Sequence, residues 1–166
     1  NVENNTKQLP KREEIPVERT WRLEDIFPTD DAWREEFEEV KKLYPSITKF
    51  QGKIKESAEN LFQLLKLQDE ISQRIGKLYT YAHMRYDQDT TNSFYQELNN
   101  RAETLLTQIS STMSFIVPEI LTLSEEEVAS FYKEKEELKI YQHYLENLLR
   151  QRPHVLSEKE EILLAE

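Results

Sequence analysis

Apolar residues recur at steps of three and four along two long runs of this 166-residue chain. The first run places Leu61, Leu64, Leu65, Gln68, Ile71, Ile75, Leu78, Tyr79, Ala82 and Tyr86 on one stripe. The second repeats the spacing with Phe94, Leu98, Ala102, Leu105, Leu106, Ile109, Met113, Ile116, Val117 and Ile120. On a helix of 3.6 residues per turn, each run carries one broad apolar face. The link Asp87-Gln88-Asp89-Thr90-Thr91-Asn92 is short and polar, so the two helices must run antiparallel to bury those faces. The pattern predicts an all-α fold: a long antiparallel helical hairpin with additional packed helices.

The flanking segments extend that picture. Residues 1–20 are polar and contain Pro10 and Pro16, which predicts an extended arm ahead of a helical domain over 21–166. Trp21, Leu23, Ile26 and Phe27 form an apolar cluster expected to anchor on the hairpin. Thr29 or Asp30 can cap a helix carrying Trp33, Phe37, Val40, Leu43 and Tyr44, ended by Pro45. Glu35, Glu36, Glu38 and Glu39 are expected to face outward. Phe50 and Ile54, in the connector around Gly52, should tuck under the next helix, which starts near Ser57. Gly76 sits inside that long helix at a cost of up to ~1 kcal/mol relative to alanine. It is read as a point of close helix approach or a slight bend, with exposure by chance as the alternative.

Ser93 with Gln96 resembles a capping box for the second long helix, with Thr91 and Asn92 as rival caps. Pro118 should kink or end that run. Ser124 with Glu127 is a cleaner capping box, opening a short helix with Val128, Phe131 and Tyr132. Leu138, Tyr141, Leu145, Leu148 and Leu149 share a later face that ends near Pro153. Ser157 with Glu160 forms a third box ahead of Ile162-Leu163-Leu164-Ala165. No chain follows to cover that last face, so the sequence reads as truncated there, with the face exposed or buried in a fragment dimer.

Composition adds mainly exclusions. Only two glycines and no cysteine occur, and the formal net charge is -10. The first favours helices over turn-rich sheets; the second excludes disulfides, thiolate metal sites and cysteine nucleophiles. An acidic surface opposes binding to nucleic acid or anionic membranes. No apolar stretch approaches the roughly 20 residues that span a bilayer.

Candidate chemistry is sparse. His83, His143 and His154 share no paired-ligand spacing, so a zinc site built from them would require distant elements to converge. Asp87, Asp89 and Thr91 look like the start of a calcium loop. The pattern then fails at Asn92 and Leu98, where glycine and glutamate are needed. Glu125, Glu126 and Glu127, then Glu134, Glu136 and Glu137, read as a solvated first turn and helix face, because acid/base pairs need environments that separate their pKa values. No nucleophile elbow or glycine-rich phosphate loop occurs. Tyr81 and Tyr95 can leave the main stripe. A peptide-contacting surface there is the alternative to ordinary packing.

The stretch from Tyr81 through Arg85, Asp87, Asp89 and Asn92, followed by Tyr95-Gln96 and Arg101, resembles the amino-terminal region of the oligoendopeptidase F family. Trp21, Leu23, Asp25, Ile26 and Phe27 resemble that family's opening segment. Phe115, the run Pro118 to Leu121, and Leu148 through Arg152, Pro153 and His154 to Ala165 are similar as well. The resemblance implies a thimet-oligopeptidase-like zinc metallopeptidase that cuts short peptides in the cytoplasm. It implies one zinc ion held by a His-Glu-x-x-His motif and a further glutamate in a downstream catalytic region. None of those residues exists here, so the resemblance assigns this chain no catalytic, metal or named substrate residue. It implies a scaffold that helps wall a channel, inactive in isolation. An autonomous acidic helical interaction module is the alternative.

Overall fold

The computed structural model describes residues 22–153, and among them helices and turns occur without any strand. In chain order the α-helices are α1 (Leu23–Ile26), α2 (Asp30–Leu43), α3 (Ala58–Gln88), α4 (Ser93–Thr112), α5 (Ile116–Ile120), α6 (Glu125–Glu134) and α7 (Gln142–Arg150). Tight 3-10 segments cover Tyr44–Phe50, Met113–Phe115 and Glu136–Tyr141. The described chain forms two compact units, one of residues 22–48 and 67–113, the other of residues 49–66 and 114–153.

The first unit holds α1, α2, most of α3, and α4. Ile71, Ile75, Leu78, Tyr79 and Ala82 of α3 are buried, as are Leu98, Ala102, Leu105 and Ile109 of α4. The link 89–92 is held by its own side chains: Asp89 Oδ1 accepts from the Thr91 amide and hydroxyl, at 3.3 and 2.7 Å. Asn92, not Ser93, caps α4, its Oδ1 accepting from the amides of Phe94 and Tyr95 at 2.9 and 3.4 Å. The short amide side chain reaches donors that the helix leaves unpaired. Thr29 is the cap of α2, accepting from Ala32 at 3.0 Å. Trp33 of α2 is fully buried, and its indole N–H donates to the Leu78 carbonyl of α3 at 2.9 Å. Leu23 and Phe27 are buried as the anchor reading expects, Phe27 standing edge-on to Tyr81. Trp21 lies outside the described residues, as do the arm 1–20 and the face 162–165.

The second unit combines the 49–57 connection and the first turns of α3 with α5, α6 and α7. Ile54, Leu61, Ile116, Ile120, Leu123, Val128, Phe131, Leu138 and Leu145 are buried in it. Ser124 and Glu127 form the expected reciprocal capping box, at 3.0 and 3.1 Å. Glu119 accepts from the Gly52 amide at 2.6 Å. Lys135 lies 4.8 Å from the Phe62 ring and 2.7 Å from Glu59. Arg152 donates to the Leu123 carbonyl.

The second apolar run breaks as Pro118 leads one to expect: α4 gives way to a 3-10 turn at Met113–Phe115, because continued α-helix would drive the proline ring into the carbonyl one turn earlier. Two expectations change. Glu36 does not simply face water; both its oxygens accept from Arg74 of α3. Gly76 marks no close approach, since a Cβ there would meet nothing within 4 Å, and α3 continues through it. Gly52 is different, with φ at +76°, a conformation that L side chains resist. Gly76→Ala should therefore raise unfolding stability by about 0.5–1 kcal/mol, while Gly52→Ala should lower it by about 1–2 kcal/mol. Urea midpoints at constant m-value check both.

Candidate functional site

Three of the family-like residues, Tyr81, Arg85 and Tyr95, converge on one half-buried polar cluster where α2, α3 and α4 meet. Asp30 opens α2, and its two carboxylate oxygens accept from different helices. Tyr81 of α3 donates to Oδ1 at 2.6 Å and Tyr95 of α4 donates to Oδ2 at 3.2 Å. Arg85 donates to the Tyr81 oxygen at 3.3 Å and lies 3.8 Å from Asp30. Its guanidinium also sits over the Tyr81 and Tyr95 rings at 5.3 and 5.6 Å. Burial first, then the bond to Asp30, pushes the Tyr81 phenol above its ordinary pKa. Burial and the Asp30 charge do the same to Tyr95. Both hydroxyls stay protonated donors at neutral pH.

The peptide-contact alternative for Tyr81 is overturned by this geometry: its side chain is fully buried and its hydroxyl is committed to Asp30. Tyr95 is half-buried, with its hydroxyl likewise engaged. Arg101 lies 4.5 Å from the Phe37 ring and 3.5 Å from Glu38. Asp87 pairs with His83 at 3.4 Å, and that imidazole stacks on Tyr79. Asp89 and Asn92 make the turn and cap. Leu23 is buried, Asp25 is exposed within α1, and Pro153 is exposed. His154 lies outside the described residues. Asp30 was missed as a site residue because its first-turn position explains an acidic residue without any partner.

Among the described residues, no group of three or more His, Asp or Glu side chains is placed to hold a metal ion. His143 is exposed and within 3.2 Å of Asn147. These residues do not fit a zinc centre, and no reaction step passes through one here.

The second unit contains an open groove of about 470 Å³, lined by Val128, Ala129 and Tyr132 of α6 and Gln142, Glu146 and Leu149 of α7. Tyr132 is its unusual member. The hydroxyl is buried without a hydrogen-bond partner. Burial, aided by the Glu146 charge, pushes its pKa up to about 12. Sequence reasoning placed Tyr132 on the core side of α6; the empty hydroxyl had no signal.

Residues 119–166 match a family model described as Oligopeptidase F. The chain is 55% identical to Oligopeptidase PepF of Bacillus subtilis over 99% of its own length and 24% of that relative. It is 38% identical to Group B oligopeptidase PepB of Streptococcus agalactiae, covering 93% of this chain and 26% of that one. The fold resembles the crystal structure of oligoendopeptidase-F from Enterococcus faecium with a TM-score of 0.71 and 32% identity. That likeness covers 82% of this chain and 26% of the other.

The chain matches the oligoendopeptidase F family. It spans about a quarter of the length of these relatives. The family-like residues of this quarter are mostly structural: they bridge helices, cap them or close a turn.

Asp30→Ala should cost about 1–3 kcal/mol, because the buried Tyr81 hydroxyl loses its acceptor. Asp30→Asn, which keeps an acceptor, should cost less; thermal unfolding of both variants checks this. Tyr132 gives a pH signature. Its folded pKa is raised from 10.0 to about 12, so the unfolded chain releases the proton first. Its stabilising share is intact below pH 10 and is lost as pH rises from there through 12. In Tyr132→Phe the decline of stability across that window should be shallower, measured by urea unfolding against pH.

Proposed function

We propose that this chain is the helical amino-terminal scaffold and channel-wall region of a zinc-dependent oligoendopeptidase that hydrolyses internal bonds of short peptides. The observation that carries this reading is the 55% identity to an oligopeptidase across nearly the whole chain. The likeness to a solved oligoendopeptidase-F supports it further. In this reading the zinc ligands and general base lie outside the present residues. The partners are a downstream catalytic region of the same polypeptide and short peptide substrates, and the location is cytoplasmic.

The polar cluster around Asp30 then serves rigidity. A channel wall must hold its helices in register while peptides enter and leave, and charged or hydroxyl groups locked to one carboxylate resist slippage. It is assigned no substrate contact.

The test is purification of the native polypeptide from its source with an antibody against this segment. Its mass should be several times that of this chain. It should cut a short quenched-fluorescence peptide internally while sparing folded proteins, lose activity to a chelator and regain it with zinc. A native polypeptide of this chain's own size, with no cleavage, would sink the reading and leave the acidic helical interaction module in its place.

A further inference from the structure

We propose that the groove between α6 and α7 seats an amphipathic helix from the remainder of the same polypeptide, apolar along one face and flanked by lysine or arginine. This rests on the reading of the chain as part of a longer peptidase. Val128, Ala129 and Tyr132 share one face of α6, and Glu146, Leu149 and Arg150 share one face of α7. Two helical stripes with an apolar floor between them match the ridge of a third helix.

Charge selects the partner's chemistry. Glu125 and Glu146 bring two carboxylates to the groove against the one guanidinium of Arg150; Glu146 accepts from Gln142 at 2.9 Å and Arg150 donates to Asn147 at 3.1 Å. The surplus is negative, so a helix with basic flanks is favoured. A second copy of this chain would oppose acid to acid, within a chain of formal charge -10. Relatives about four times as long as this chain give such a helix a source.

The experiment places a benzophenone photo-crosslinking side chain at Ala129, an exposed position of α6, in the native-length polypeptide. A second polypeptide carries it at Leu149, with circular dichroism confirming the fold of each. Irradiation, proteolysis and mass spectrometry locate the adduct. The expected adduct lies within the same polypeptide, on a helix with an apolar face and basic flanks. The double variant Glu125→Lys, Glu146→Lys should lose it. An adduct to a second copy, an adduct to residues 154–166, or none in either folded polypeptide overturns the inference. Mass and peptide cleavage are measured on the same samples. A long, cleaving polypeptide without the expected adduct fails the groove alone, whereas a polypeptide of this chain's size without cleavage fails the parent reading.

Discussion

The Asp30 carboxylate receives hydroxyl donors from α3 and α4 while itself belonging to the first turn of α2. Tyr81 cannot simply let go, because its ring is fully buried and an unpaired phenol there would keep the full desolvation cost. Arg85 closes the arrangement by donating to the same phenol and lying over both rings. One residue on each of three helices therefore depends on the position of the other two. Apolar packing alone tolerates small rotations of a helix, whereas these bonds have fixed lengths and directions. Trp33 adds a second such constraint through its indole bond to Leu78, and Arg74 a third through both oxygens of Glu36.

The second unit combines one local device with contacts between segments distant in sequence. A capping box starts α6, a glutamate takes the Gly52 amide, and Lys135 combines an aromatic face with two carboxylates. These satisfy the polar groups next to them. Tyr132, in the wall of the open groove, has a buried hydroxyl without a hydrogen-bond partner; Glu119 Oε2 and Arg152 Nε, elsewhere in the same unit, are buried without one as well. The apolar floor of the groove and its acidic rim are the physical basis for seating a further helix there.

Family likeness and chemistry separate cleanly in this chain. The positions most like the oligoendopeptidase F family are those that fix helix ends and helix contacts: Asn92 caps α4, Asp89 closes the turn, and Arg101 covers Phe37. Such residues are constrained because few side chains combine the required length, charge and hydrogen-bonding geometry. They identify a scaffold without naming a reaction. Zinc chemistry belongs to the proposed parent polypeptide, and no group of three or more His, Asp or Glu among the described residues is placed to hold the ion.

Periodicity by itself determined the helices and their buried faces. A 3.6-residue repeat is a local property, and the burial of Ile71, Ile75, Leu78, Leu98, Leu105 and Ile109 follows from it. The Ser124 capping box was equally legible, since its partners lie three residues apart. The place of Pro118 in breaking the second run was visible too, although the turn forms just before it. Contacts between residues distant in sequence were not legible. Asp30 meets Tyr81 and Tyr95, and Glu36 meets Arg74, only after helices have packed, and no local spacing encodes those meetings. The same holds for absent contacts: the space beside Gly76 and the missing acceptor of Tyr132 exist only in three dimensions. Local chain geometry fixes what each residue prefers; tertiary packing decides which preferences are met.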